Sequence, residues 1–111
     1  MSVFEALADP TRRVILDRLR ASHPLSVSEL AAPLPMTRQA VTKHLAALQA
    51  SGLIRVRWRG RERLHELDPR PLKQVERWLA PYAAEWDRRL RRLRRHLGEA
   101  EQPPRTRNPR G

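Results

Sequence analysis

The spacing of apolar residues changes at Gly52, and this change constrains the fold more than any other feature. Before the glycine, three apolar residues recur with a helical period: Val41, Leu45 and Leu48. After it, apolar residues alternate with arginines, as in a strand: Ile54, Val56 and Trp58. Thr37 can cap the helix and Gly52 can end it. The sequence therefore predicts a capped helix followed directly by a β-strand.

Helix-start signals divide the preceding residues into three short helices. Residues 3–8 form the first, and Asp9-Pro10 supplies an N-cap and an N1 proline for the second. Ser26 and Glu29 match the capping box S-x-x-E, which predicts a third helix. The prolines at 33 and 35 must end it, so a tight turn precedes the helix that Thr37 caps.

Residues 59–62 can turn the chain back after the strand, and residues 64–67 return it. This pattern predicts a β-hairpin with an arginine-rich tip. Asp68-Pro69 then opens a long last helix, at about residues 69–97, which Pro81 should kink or split and Gly98 should stop. Its apolar residues follow a heptad-like spacing: Val75, Leu79, Tyr82, Trp86, Leu90, Leu93 and Leu97.

The predicted order is three helices, a tight turn, a fourth helix, a hairpin and a long helix. This is a mainly α fold with a β-hairpin, namely a winged helix-turn-helix with a long C-terminal helix for dimerisation. We expect residues 1–98 to form one DNA-binding domain that includes the dimerisation helix. Residues 99–111 contain almost nothing apolar, and we expect a disordered tail there.

The composition favours an anionic partner. The 111 residues carry a net charge of +11, which points first to nucleic acid and second to an anionic membrane surface. A merely solubilising surface charge is the alternative. No apolar run is long enough for a signal peptide or a membrane span, so we expect a cytoplasmic protein that does not contact membranes.

The residue types also argue against an enzyme. The chain has no cysteine, which excludes disulfides, thiolate metal sites and cysteine nucleophiles. It has no Gly-rich phosphate loop and no close His, carboxylate and Ser constellation. We therefore expect no enzymatic activity and no cofactor.

The predicted order and several local motifs resemble the ArsR/SmtB family of winged helix-turn-helix repressors, over about residues 3–97. The residues that carry the resemblance are Ala6 to Arg13 with Ile15-Leu16, Glu29 to Ala31, Gln39 to Leu45, Leu48, Gly52 to Ile54, and Gly60-Arg61. The resemblance implies a dimeric repressor that binds double-stranded DNA. The run from Trp78 to Leu90 looks like the cysteine-free, autorepressor-like members, which repress small operons without a known metal.

The family's metal sites find little support in this sequence. Metal-sensing members place cysteines on the helix before the turn, and the matching residues 30–33 contain no thiol. The other common site needs His and carboxylate ligands on the last helix, where only His96 and Glu99 have a suitable i, i+3 spacing. Gly98 lies between them. We expect no metal site, and a metal-responsive repressor with a last-helix site is the further alternative.

The polar face of the fourth helix suits the reading of bases in the major groove. Gln can bond adenine, Arg can bond guanine, Thr can bond a base or a phosphate, and Lys suits a phosphate. The predicted DNA-binding residues of this recognition helix are Thr37, Arg38, Gln39, Thr42, Lys43 and His44. His44 borders the apolar stripe, so it is either a half-buried packing residue or a base reader. An ordinary solvated helix face is the competing interpretation.

The predicted wing residues are three arginines that would contact phosphates or enter a narrow minor groove: Arg57, Arg59 and Arg61. An exposed strand face is the alternative for Arg57. Arg12 and Arg13 could reach the DNA backbone, or one could pair with Asp9 or Asp17. The other histidines, at 23, 65 and 96, are dispersed, and we expect them on the surface or in the hairpin.

The apolar seam of the last helix is too long for a small winged domain to cover alone. Pairing with a second chain through the first and last helices would bury it, and a C2 dimer would present two reading helices to a pseudo-palindromic operator. The predicted interface residues are Phe4, Leu7, Val75, Leu79, Tyr82, Trp86, Leu90 and Leu93. Packing on the chain's own core is the alternative for Val75 and Leu79. Six arginines between positions 88 and 95 either point outward, contact flanking phosphates or bind an acidic partner.

The predicted function is a sequence-specific DNA-binding transcriptional regulator, most simply a homodimeric repressor that occludes promoters. The alternatives are a non-specific nucleic-acid or nucleoid-binding protein and a helix-pairing module that does not touch DNA. The sequence identifies no small-molecule inducer.

Overall fold

A computed structural model describes residues 1–101, in which five helices and a two-stranded hairpin follow the predicted order. The elements are α1 (Val3–Leu7), α2 (Pro10–Arg20), α3 (Val27–Ala31), α4 (Arg38–Ala50), β1 (Ile54–Arg59), β2 (Glu62–Leu67) and α5 (Leu72–Glu101). The mainly α fold with a β-hairpin and a long last helix is confirmed. In the predicted tail, residues 102–111 lie outside the described part of the chain.

Side-chain caps set the starts of the first four helices. Asp9 accepts from the Thr11 N–H at 2.7 Å, and Thr37 accepts from the Ala40 N–H at 3.1 Å. The capping box at Ser26 is present with its Glu29 partner. A second capping box starts α1 at Ser2, where the sequence analysis had placed none. These caps satisfy backbone N–H groups that have no partner within the helix.

The hydrophobic core lies in the unit formed by residues 1–76. Each of its largest fully buried side chains comes from α2, α3, α4 or the start of the hairpin: Ile15, Leu30, Val41, Leu48 and Leu53. Arg18 of α2 donates to the carbonyl oxygens of Glu29 and Leu30 at 3.0 and 2.9 Å. This arginine therefore joins α2 to α3 while the apolar side chains hold α4 against both.

The hairpin turns within residues 59–62, as its sequence predicted, and the turn itself has two residues. The strands pair antiparallel from Ile54 opposite Leu67 to Arg59 opposite Glu62, which leaves Gly60 and Arg61 in the turn. Gly60 has a φ of 64°, and Gly52, which ends α4, has a φ of 83°. Glycine adopts this left-handed conformation without the steric cost that a Cβ would add. The change of period at Gly52 therefore marks a real boundary between α4 and β1.

His65 lies in the hairpin, one of the two places expected for the dispersed histidines, and its side chain is buried with 3% exposure. It lies in β2, and an isolated bridge pairs it with Leu25, just before α3. Two backbone hydrogen bonds of 3.0 and 2.8 Å form this bridge. The segment at Leu25 thus covers the outer edge of β2, which explains the burial.

Two predictions about α5 are wrong. The helix begins at Leu72 and not near Pro69, because residues 69–71 form a turn in which Leu72 N–H donates to the Pro69 carbonyl at 2.9 Å. It also continues through Gly98 to Glu101. Gly98 is not among the glycines with positive φ, so it remains helical at a modest propensity cost. Pro81 lies inside the helix and does not split it.

Candidate nucleic-acid interface

The two faces of α4 differ in burial as the sequence predicted. Its apolar stripe is fully or almost fully buried: Val41, Leu45 and Leu48. The polar side chains near the start of α4 are exposed: Thr37, Arg38, Gln39, Thr42 and Lys43. Because the N-terminal turn of a helix also favours anions, this exposed face has both the residue types and the electrostatics for DNA contact.

Three of these side chains line one shared concavity. Arg38, Gln39 and Thr42 border a groove of about 350 Å³ together with Val27 of α3. Thr42 donates its hydroxyl hydrogen to the Arg38 carbonyl at 2.8 Å, which leaves its methyl group and oxygen lone pairs for a ligand. Thr37 differs from its neighbours because its hydroxyl oxygen already caps the helix. Arg38 and Gln39 are therefore the side chains best placed to reach a base edge.

His44, for which the sequence left open either a packing or a base-reading role, is half-buried and lies close to the N-cap of α2. Burial raises the pKa of Asp9, but hydrogen bonds from the N–H groups of Arg12 and Thr11, together with the nearby His44 and Arg12 side chains, lower it more. His44 thus stands between the exposed face of α4 and the start of α2. Its position fits contact with both the domain and a ligand.

The wing arginines are not equally available. Arg57 lies 3.4 Å from Glu66, and Arg59 forms an ion pair with Glu62 across the turn. Arg61 occupies the turn itself, and no carboxylate among the described side chains lies within 4 Å of it. Arg61 is consequently the wing residue whose guanidinium can meet a phosphate without first leaving a partner.

The wing is also tied to α4 by residues that the sequence analysis did not single out. Arg63 of β2 donates to the side-chain oxygen of Gln49 in α4 at 3.3 Å. Both border a small cavity of about 60 Å³ with Thr42 and His65. No local pattern could have predicted this contact, because it depends on how the hairpin packs on α4.

Asp68 anchors the base of the wing. Its buried carboxylate accepts two bonds from the Arg70 Nε at 3.0 and 3.1 Å and one from Nη2 at 2.7 Å. Arg55 lies 4.0 Å away. The side-chain and backbone hydrogen bonds from Arg70, with the nearby positive charges, lower the pKa of Asp68 to about 2. Asp68 was expected to open α5, and it instead holds the turn that precedes it.

Arg12 and Arg13 form hydrogen bonds within the protein that stabilise the fold. Arg12 donates to the carbonyl oxygens of Ala6 and Glu5 at 2.8 and 2.9 Å and lies 3.9 Å from Asp9. Arg13 donates to the Leu7 carbonyl at 2.6 Å. The predicted pairing of Arg12 with Asp9 is confirmed, and both guanidinium groups satisfy carbonyl groups at the end of α1.

The predicted interface residues fall into two groups. Leu7 and Val75 pack partly against the core of the first unit, whereas Phe4 is partly exposed. In the unit that starts at Arg77, the apolar side chains of α5 share one exposed face: Leu79, Tyr82, Trp86 and Leu93, with Leu90 half-buried. Trp78 belongs to the same face, with its ring centroid 5.1 Å from that of Tyr82. Its spacing from Val75 and Tyr82 could have identified it.

No helix within residues 1–101 is long and apolar enough to cross a membrane. In the same part of the chain, no three His, Cys, Asp or Glu side chains are grouped so that they could hold a metal ion.

The order of the elements, the exposed face of α4 and the hairpin after it define a winged helix-turn-helix protein. A family profile described as a helix-turn-helix domain matches residues 7–57. The transcriptional regulator Rv2034 of Mycobacterium tuberculosis is 48% identical over 66 residues, which are 60% of this chain and 61% of that protein. The match thus spans about three fifths of that relative's length.

Two solved structures extend the likeness. An ArsR-like transcriptional regulator from Rhodococcus is 44% identical with a TM-score of 0.64, and the match covers 84% of this chain and 87% of that one. The winged helix-turn-helix domain of Mb0332 from Mycobacterium bovis is 27% identical with a TM-score of 0.56, over 77% and 75% of the two chains. The chain belongs to the ArsR family of helix-turn-helix transcriptional regulators.

Proposed function

We propose that the protein is a homodimeric, sequence-specific repressor that binds a pseudo-palindromic operator and blocks the promoter it overlaps. Membership in a family of transcriptional regulators and the net charge of +11 support this proposal. The proposal places the protein in the cytoplasm, where it would meet its operator. The proposal requires neither a metal nor an inducer.

The observation that carries the proposal is the exposed N-terminal face of α4. Arg38 and Gln39 lie on the rim of one groove, whereas the apolar stripe of the same helix is buried in the core. Arg38 has the donors to pair with guanine, and Gln39 has the donor and acceptor to pair with adenine. Lys43, Thr42 and the helix N-terminus would hold the phosphates that fix the position of α4 in the groove.

The wing would add contacts that carry no sequence information. Arg61 is free to meet a phosphate or to enter the minor groove, whereas Arg57 and Arg59 would have to exchange a carboxylate for a phosphate. Because Glu66 and Glu62 also repel phosphates, we expect Arg61 to contribute more to affinity than either of its neighbours.

Dimer formation rests on the exposed apolar face of α5. Trp86 and Leu93 are each more than half exposed, and a soluble chain gains by burying such a face against a second copy. The related Mb0332 domain is a homodimer. The same use of α5, with α1 alongside it, would give this protein two α4 helices related by a two-fold axis.

Selection from a pool of random duplexes tests the proposal. The purified protein should enrich two inverted half-sites whose centres lie about 34 Å apart, one turn of DNA. Enrichment of one undivided site would contradict the dimer. Retention of DNA without any enriched sequence would contradict specific reading and favour the non-specific alternative. In transcription reactions, a promoter that carries the selected sequence should lose activity on addition of the protein.

A further inference from the structure

The last described turns of α5 carry a concentrated positive charge. Residues 88–95 contain six arginines and two leucines. This stretch therefore carries a charge of +6, more than half the size of the net charge of +11 of the whole chain. We call this stretch the basic segment: Arg88, Arg89, Arg91, Arg92, Arg94 and Arg95. All six side chains are exposed.

The arginines and the apolar residues of the basic segment occupy different sides of the helix. Leu90 and Leu93 continue the apolar face that begins with Trp86 and Leu79. At 100° per residue, four arginines cluster on the opposite side, whereas Arg89 and Arg94 border the apolar face. The four are Arg88, Arg91, Arg92 and Arg95. A second copy on the apolar face would therefore leave an arginine surface on the outside.

The basic segment differs from the wing in how its charges are paired. Each of the three arginines of β1 lies within 4 Å of a carboxylate: Arg55, Arg57 and Arg59. In the basic segment, Arg89 lies 3.5 Å from Glu85, and no other ion pair is found there among the described side chains. Arginines three and four positions apart on one helix face repel each other. A polyanion would relieve this repulsion, which the described side chains leave largely in place.

The spacing of the arginines suits a sugar-phosphate backbone. From Arg88 to Arg95 the helix rises about 10.5 Å, and over that length one DNA strand presents about three phosphates. Arg92 and Arg95, with His96, border one depression beside Leu93, which offers donors from three side chains to one anion. Every cation of the segment is a guanidinium, whose paired N–H groups match phosphate oxygens.

We propose that the basic segment binds the phosphate backbone of DNA that flanks the operator, without reading its sequence. The inference rests on the proposed operator binding and dimerisation. A membrane-bound amphipathic helix would need its apolar face free for lipid, and in the proposed dimer the second copy would occupy that face. The two segments of a dimer would lengthen the DNA that the protein covers and steepen the salt dependence of its affinity.

The test compares a selected operator of minimal length with the same operator extended by ten base pairs of arbitrary sequence on each side. The test variant is Arg88→Gln, Arg92→Gln, Arg95→Gln. The control variant is Arg20→Gln, Lys73→Gln, Arg77→Gln, which removes the same charge from other exposed positions. Anisotropy titrations at several salt concentrations give the affinities, and circular dichroism and light scattering check folding and assembly.

The wild type and the control should bind the extended duplex about tenfold more tightly than the minimal one, with either of two unrelated flanks. The slope of log affinity against log salt should be steeper for the extended duplex than for the minimal one by about two to five units. The test variant should lose the gain and the added slope, and Arg88→Lys, Arg92→Lys, Arg95→Lys should retain both.

A gain that survives in the test variant, or its absence from the wild type, would overturn the inference. Anionic vesicles or an acidic protein would then be the candidate partners of the segment. The preference for the selected operator over unselected DNA distinguishes a failure of this inference from a failure of the proposed function. The test variant should still prefer the selected sequence to unselected DNA, and a wild type without that preference would contradict the proposed function itself.

Discussion

His65 in β2 and Leu25 before α3 are joined by three hydrogen bonds. Two connect their backbones at 3.0 and 2.8 Å, and in the third His65 Nδ1 donates to the Leu25 carbonyl at 3.1 Å. These bonds fix the wing to the helix-turn-helix through a buried, titratable side chain. The orientation of the wing therefore depends on a residue that need not touch DNA.

We expect His65 to make the protein less stable at mildly acidic pH than at neutral pH. Burial lowers the pKa of His65 from its ordinary value of 6.5, the Leu25 carbonyl raises it, and Arg63 lowers it further. The unfolded chain therefore binds a proton more readily than the folded one, and stability falls as the pH drops below 6.5. Urea unfolding between pH 5 and 8 measures this loss.

The control for this experiment is His65→Gln, which cannot titrate. The variant should be less stable at pH 8 but should show a flatter dependence on pH between 5 and 6.5. If the free energy of unfolding depended on pH in the same way in the two proteins, the effect would belong to another histidine.

Asp68 should make a contribution of the same sign as His65, but at lower pH. Its pKa is lowered from 3.8 to about 2 by the bonds from Arg70, so the ionised form stabilises the folded chain above pH 3.8. That stability should be lost as the pH falls through 2. The free energies of unfolding of the wild type and Asp68→Asn, measured from pH 1.5 to 6, should differ at pH 6 and converge near pH 2. A constant difference would contradict this role.

Val41 and Val14 provide a matched pair for the anchoring of α4. Val41 has 0% exposure, whereas Val14 of α2 is 44% exposed. Val41→Ala should lower the free energy of unfolding by about 2 kcal/mol, because two buried methyl groups are lost. Val14→Ala should change it by less than about 0.5 kcal/mol. Denaturation at one fixed protein concentration checks both values, and similar losses would mean that α4 is not held by its apolar stripe.

Trp86 should be central to the proposed dimer. Its side chain is 58% exposed on the apolar face of α5, and a carboxylate there would have to be desolvated on pairing. Trp86→Glu should weaken dimerisation about 30-fold or more. Ala84→Glu adds the same charge on another face of the helix and should have little effect. Analytical ultracentrifugation separates the outcomes, and equal weakening by both variants would point to a general charge effect.

The sequence predicted those parts of the fold that depend on local chemistry. The caps at Asp9, Ser26 and Thr37 and the boundary at Gly52 each follow from neighbouring residues, so their patterns suffice. The split of α4 into buried and exposed faces follows from the helical period. The amphipathic pattern of α5 was equally clear.

Contacts between distant segments could not be predicted in the same way. His65 is buried because Leu25, 40 residues away, covers it. Asp68 looked like an N-cap, but Arg70 takes its carboxylate and α5 starts later. Gly98 resembled a helix stop, and no described residue forces it out of the helical conformation. Of these three, only the burial of His65 depends on a distant segment. Arg70 is a near neighbour of Asp68, and the sequence there is compatible with both a helix cap and a side-chain ion pair.

The comparison of Gln39→Ala with Gln74→Ala tests the central claim that α4 reads the operator. Both glutamines are exposed on helices, but only Gln39 lies on the proposed reading face. We expect Gln39→Ala to weaken binding to the selected operator about tenfold or more, and to change binding to unselected duplex by less than about twofold. Gln74→Ala should change neither affinity. Equal losses on both DNAs for Gln39→Ala, or no loss on either, would contradict the account.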